Sequence, residues 1–88
     1  MLPKRLRVTV TADDIANGIR RSKYLCPLAN ALHRMYPDLA VSVCWTEIAV
    51  GIADYTMSKR SQTFVHMYDG YHNVKPATFI LVKRWSYN

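Results

Sequence analysis

The chain of 88 residues has few of the residues from which common cofactor and metal sites are built. Its three glycines, Gly18, Gly51 and Gly70, stand alone, which excludes the glycine-rich phosphate loops of Rossmann and P-loop proteins. Its two cysteines, Cys26 and Cys44, form no Cys-x-x-Cys pair, and no histidine lies at ligand spacing from either. We therefore predict no cofactor and no metal, and two reduced, buried thiols in place of a disulfide.

Long apolar runs are also missing from the chain. No stretch of about 18 apolar residues could form a membrane span. The basic start at Lys4 and Arg5 is not followed by an apolar segment of the kind found in secretion signals. We therefore expect no membrane partner and a cytoplasmic location.

Catalytic groups are equally sparse. Hydrolysis and group transfer need a nucleophile with a base, paired carboxylates or a metal. The few acids are scattered, and Asp13 and Asp14 have the position of first-turn residues in a helix. Cys26 has some catalytic appeal, because a helix N-terminus and nearby cations lower the pKa of a thiol. We favour the alternative, that Cys26 packs in the core, and predict that the protein is not an enzyme.

The sequence has an excess of positively charged residues. Twelve Lys and Arg against six Asp and Glu give a net charge of +6. Such a balance favours an acidic partner: nucleic acid, an acidic protein surface or an anionic membrane surface.

Alternating and helical apolar periodicities predict seven elements in close succession. They are strands over residues 6–11, 39–45, 47–52 and 78–85, and helices over 12–17, 27–36 and 59–69, with residues 53–57 as a connection. The order βα(α)ββαβ predicts one α+β domain over residues 1–88, with an antiparallel-rich four-stranded sheet and helices packed on one face. The ferredoxin-like arrangement has this order.

Capping residues mark the predicted helix ends. Thr11 and Ser58 are N-caps, and Pro27 suits the first position of the second helix. Gly18 suits a left-handed position after the first helix, and Gly70 ends the third.

Alternation also predicts which strand residues face the core. In the two central strands, Val41, Val43 and Trp45 share one face, and Ile52 ends the inward face of the next strand. Residues 79–82 are apolar on both faces, which predicts a central strand or one covered on both sides.

Basic residues concentrate in two places. If the first and last strands are antiparallel neighbours, five cations gather at one sheet edge: Lys4, Arg5, Arg7, Lys83 and Arg84. Trp85 and Tyr87 lie next to them, and interleaved basic and aromatic residues suit nucleic-acid binding. The second group lies in an exposed loop: Arg20, Arg21 and Lys23. The alternative is that these charges only solubilise the surface.

Three motifs carry a resemblance. They are Ala12-Asp13-Asp14-Ile15-x-x-Gly18, Cys26-Pro27-Leu28-Ala29-x-Ala31-Leu32, and Phe64-Val65-x-x-Tyr68-Asp69-Gly70 followed by Val74-Lys75-Pro76-x-x-Phe79. The chain resembles, over about residues 8 to 81, a group of short bacteriophage and prophage proteins without an established activity. The resemblance implies a small phage accessory protein in the cytoplasm of an infected host cell, and it implies no functional residues.

Three functions remain open from the sequence. The leading hypothesis is a non-enzymatic binding protein that modulates a host or phage macromolecule, most readily a protein, by surface contact. The second is a nucleic-acid-binding protein that uses the basic strand edge, and the third is an enzyme that acts through Cys26. Trp85 and Tyr87 are in addition candidates for a self-association surface that would give a homo-oligomer.

Overall fold

A computed structural model describes residues 2–84, and in that range it contains three helices and five strands. In chain order the elements are β1 (Arg5–Val10), α1 (Ala12–Ala16), α2 (Pro27–Met35), β2 (Val41–Val43), β3 (Glu47–Val50), β4 (Ala53–Thr56), α3 (Lys59–Asp69) and β5 (Ala77–Lys83). The predicted α+β class is confirmed. None of the helices in this range is long and apolar enough to cross a membrane.

The predicted helix starts are confirmed. Thr11 caps α1, since its hydroxyl accepts a hydrogen bond from Asp14 N at 3.2 Å while Asp14 Oδ2 accepts one from Thr11 N at 2.8 Å. This reciprocal pair satisfies two backbone donors that would otherwise lack partners. Pro27 is the first residue of α2, and the Ser58 hydroxyl accepts from Ser61 N at the start of α3.

The glycines end helices in a different way from the one predicted. Gly18 does not take a left-handed conformation. A Cβ at Gly18 would lie 2.7 Å from Pro27 Cδ and 2.8 Å from the Tyr68 hydroxyl, so glycine permits close packing there. Gly70 does end α3 as predicted, but with a φ of −87°, and Tyr71 after it takes the left-handed value of 67°.

An additional strand corrects the predicted topology. Residues 53–57, predicted as a connection, contain β4, because Ala53 pairs with Val50 across a tight turn. Gly51, with a φ of 61°, and Ile52 form that turn. Glycine suits it, since other residues rarely adopt such a φ. Ile52 consequently lies in the turn, fully exposed, and not on the inward face of β3.

The strand order follows from this extra strand. The sheet runs β1-β5-β4-β3-β2, and all neighbouring strands pair antiparallel. β4 occupies the place beside β5, so β1 lies at an edge. The predicted four-stranded, ferredoxin-like arrangement is therefore wrong in strand number and strand order, because a ferredoxin-like sheet would hold its first strand inside.

The β2–β3 hairpin has a longer turn than predicted. β2 ends at Val43, and Cys44 N donates to Glu47 O at 2.8 Å to close the hairpin. Trp45 therefore lies in the turn and is 86 % exposed, although alternation predicted that it would face inward with Val43.

One face of the sheet forms the core and the other is open. The helices pack on the buried face, as predicted, against alternate strand residues: Leu6, Val8, Val10, Val41, Val43, Ile48, Val50, Tyr55, Phe79 and Leu81. β5 is an interior strand, which confirms one prediction. It is not covered on both sides, because Ile80 and Val82 lie on the open face with 39 % and 46 % of their surface exposed.

Candidate binding surfaces

The predicted basic cluster forms where β1 meets β5, but the sheet divides it. The two strands are antiparallel neighbours, as predicted, and Lys83 N donates to Lys4 O at 2.7 Å. Side chains alternate along a strand, so Lys83 lies on the helix-covered side and Arg5 and Arg7 lie on the open face. Arg84 follows β5 and contacts Glu47 on the open face, and Lys4 is exposed just before β1. The five cations therefore do not form one continuous surface.

On the open face, two arginines border two apolar side chains. Arg5 lies opposite Val82 and Arg7 lies opposite Ile80 in the β1–β5 pairing. All four residues are exposed. We call this set the β1–β5 patch; it combines cationic and apolar surface on two paired strands.

The rest of the open face is less basic. Arg84 forms an ion pair with Glu47, at 2.5 Å between Nη1 and Oε2, with both side chains 48 % exposed. Asp54, on the neighbouring strand β4, is exposed on the same face. Positive charge on the open face is therefore concentrated on the β1 side.

The second predicted basic group is anchored to α3. The Arg20 guanidinium lies 4.8 Å from the ring centre of Tyr68 and 4.5 Å from that of Tyr71, and its Nε donates to Tyr68 O at 3.0 Å. Arg21 N donates to Asp69 Oδ1 at 2.8 Å. Arg20 thus fixes the loop in place, and cation–π stacking with two rings contributes to its stability.

The same loop borders a cavity that sequence analysis missed. The cavity has a volume of about 630 Å³ and lies between this loop, the β2–β3 turn and α3. Arg21 and Lys23 line it, together with Trp45 and Met67. No motif signals the cavity, because separate segments of the chain supply its walls.

Both cysteines line this cavity, in different environments. They are free thiols, as predicted, but only Cys26 is buried, and Cys44 is exposed in the β2–β3 turn. Burial raises the pKa of the Cys26 thiol, and this outweighs the lowering by the backbone N–H groups of Ala29 and Leu28. A raised pKa disfavours the thiolate, which is the reactive form of the thiol, at neutral pH.

Metal-ligating residues do not converge in the described part of the chain. Across residues 2–84, no group of three or more His, Cys, Asp or Glu is placed to hold a metal ion. His66 and His72 line the cavity with the two cysteines, but without the geometry of a metal site.

Trp85 and Tyr87 lie outside the described residues. Their predicted roles, as stacking partners for bases or as a self-association surface, remain predictions.

Comparison with protein families, with curated proteins and with solved structures finds no match to this chain. The resemblance to phage proteins is therefore an expectation from the motifs alone.

Proposed function

We propose that this chain is a non-enzymatic binding protein that acts by surface contact on another protein, and that the β1–β5 patch is the contact surface. The observation that carries the proposal is that Arg5 and Arg7 lie opposite exposed Val82 and Ile80 on the open face of the sheet. Apolar surface at the centre with arginine beside it is typical of protein interfaces. The partner that suits this patch presents a small apolar area next to acidic side chains.

The free edge of β1 adds to this surface. Lys83 N bonds to Lys4 O, and hydrogen-bonded residues alternate along an antiparallel pair, so the N–H and C=O groups of Arg5 and Arg7 point away from β5. The outward carbonyl of Thr9 accepts a hydrogen bond from Arg34 at 3.0 Å, which covers that end of the edge. An extended segment of a partner could pair with the backbone at Arg5 and Arg7.

Nucleic acid is the second candidate partner, favoured by the net charge of +6 and by the cations of β1 and β5. The open face supports it less well. Glu47 and Asp54 would repel a phosphate backbone that crossed the sheet, and Arg84 already pairs with Glu47. Among the described residues, the strand side chains of this face include no aromatic ring on which a base could stack.

The test is capture from a bacterial lysate with matched charge variants. The first variant carries Arg5→Glu and Arg7→Glu, and the control carries Lys59→Glu and Lys75→Glu, which changes the net charge equally at exposed sites away from the patch. We expect one protein to be retained by the wild type and by the control, before and after nuclease treatment. The patch variant should lose it, because charge reversal at the contact opposes an acidic partner.

Two outcomes would overturn the proposal. Equal loss in both variants would show that net charge, and not the patch, governs binding. Loss of all bound material on nuclease treatment would favour nucleic acid, and titration of labelled DNA and RNA should then show affinity that falls steeply with salt. Absence of binding to both DNA and RNA at low salt would rule out nucleic acid as the partner.

A phage or prophage origin, action in the host cytoplasm and the absence of catalysis belong to the same proposal. They rest on the motif resemblance and on the scattered acids. The buried Cys26 supports the non-enzymatic part, because burial raises the pKa of its thiol.

A further inference from the structure

The cavity beside α3 has the size and the walls of a small-molecule site. Its volume of about 630 Å³ lies in the range of ligand pockets. Its apolar lining comes from Val43, Val65 and Met67, with the buried Cys26 among them. Trp45 also lines the cavity and is 86 % exposed, so its ring is available to an occupant.

The charged groups at this cavity are mainly cationic. Arg21 and Lys23 are both exposed and line it. Among the described lining residues the one acid is Asp69, and its Oδ1 already accepts a hydrogen bond from Arg21 N at 2.8 Å. His66 and His72 add ring nitrogens that can donate hydrogen bonds.

We propose that this cavity binds a small organic anion with an aromatic or aliphatic body and one carboxylate, sulfonate or phosphate group. The body fills the apolar lining and contacts the Trp45 ring, and the anionic group lies at Arg21 and Lys23. Burial of the body supplies most of the affinity, and the cations fix its orientation. The site shares no residue with the β1–β5 patch, so it is independent of the proposed protein contact.

A pair of fluorescent probes tests the proposal. Anilinonaphthalene sulfonate has an aromatic body and one sulfonate, and phenylnaphthylamine has the same body without the charge. In a Trp85→Phe background Trp45 is the sole tryptophan of the chain. We expect saturable, equimolar energy transfer from Trp45 to the sulfonate probe, and an affinity for the neutral probe that is about tenfold weaker, the effect of two partly solvated ion pairs. Equal affinity for both probes, or no energy transfer from Trp45, would overturn the proposal.

Charge variants locate the anionic group. Arg21→Gln with Lys23→Gln should weaken the sulfonate probe about tenfold and leave the neutral probe unchanged. Lys59→Gln with Lys75→Gln, which removes the same charge outside the cavity, should change neither. An equal loss in the control pair would show a general charge effect and refute the site.

A further measurement needs no charge variant. Cys44 lines the cavity and is exposed, so the bound sulfonate probe should slow its alkylation by iodoacetamide at least several-fold. An unchanged alkylation rate of Cys44 at saturating probe would show that the probe binds outside the cavity. This result does not depend on whether the Arg21 and Lys23 variant folds.

Discussion

Replacing Asp14 with Asn tests how much of the stability depends on one buried carboxylate. Asp14 Oδ2 accepts hydrogen bonds from Thr11 N at 2.8 Å and from the Arg34 guanidinium at 2.7 Å. The Asp14 side chain is 9 % exposed and that of Arg34 is 51 % exposed. This carboxylate thus joins the start of α1 to the last turn of α2.

The expected loss follows from these two contacts. Removal of half of a capping box costs about 1 kcal/mol. A half-exposed ion pair contributes up to about 1 kcal/mol. Asn at position 14 keeps the size and one acceptor for the bond from Thr11 N but loses the charge, so we expect the free energy of unfolding to fall by about 1–2 kcal/mol. For a domain of this size that lowers Tm by roughly 10 °C.

The pH dependence of this loss has a definite sign. Burial acts to raise the pKa of Asp14, but hydrogen bonds from Arg34 and Thr11 hold it below its ordinary value. A carboxyl with a lowered pKa in the folded state stabilises the fold above the pKa of the unfolded chain, about 3.9, and this contribution is lost as the pH falls through the folded-state value. The gap between wild type and Asp14→Asn should therefore be full at pH 7 and should shrink below about pH 4.

Denaturant unfolding at several pH values measures this gap. Asp13→Asn is the matched control, because Asp13 lies in the same first turn but is exposed, and it should cost less than about 0.5 kcal/mol. Equal losses for the two variants, or a gap that stays constant to pH 2, would refute the assignment of the stability to the Asp14 contacts.

Two further predictions concern close packing and thiol reactivity. Gly18→Ala should lower the free energy of unfolding by about 1–3 kcal/mol, because its Cβ would lie 2.7 Å from Pro27 Cδ. Gly70→Ala is the control, since the atoms closest to a Cβ there are at 3.4 Å. Equal losses of stability in thermal melts of the two variants would contradict the close-packing explanation. In the Cys44→Ser variant, iodoacetamide should modify Cys26 at pH 7 far more slowly than it modifies the exposed Cys44 of the wild type, because burial raises the pKa of Cys26. Mass spectrometry measures both rates. Equal rates would support the hypothesis that Cys26 is a reactive cysteine.

Local chemistry made the helix starts predictable, and the order of the elements made the β1–β5 pairing predictable. Thr11 and Ser58 cap helices through bonds to residues three positions later, so a short stretch of sequence contains the whole interaction. The first strand alternates clearly and the last contains a continuous apolar run, so both are recognisable as strands. Their prediction as antiparallel neighbours came from the order of the elements.

Non-local contacts explain what could not be predicted. Ala53–Thr56 is only four residues long, and its two-residue turn at Gly51 and Ile52 lacks the Asn-Gly type of signal, so β4 resembled a connection. The position of Gly18 depends on contact with Tyr68 in α3, fifty residues away in the sequence. The cavity likewise brings together the loop before α2, the β2–β3 turn and α3, which are distant from one another in the sequence.

Net charge alone is a poor guide to which cations can meet a partner. Within residues 2–84, two arginines form ion pairs and two more stack on aromatic rings while donating to backbone carbonyls: Arg34, Arg84, Arg20 and Arg60. These arginines hold elements together, so their replacement would weaken binding indirectly through the fold. The variants at Arg5 and Arg7 and at Arg21 and Lys23 instead change exposed side chains that form the patch and line the cavity. Among these, Lys23 lies 5.9 Å from the ring centre of its neighbour Tyr24, a contact within one loop. A binding defect confined to one of these pairs, with the other surface intact, therefore identifies which surface a partner contacts.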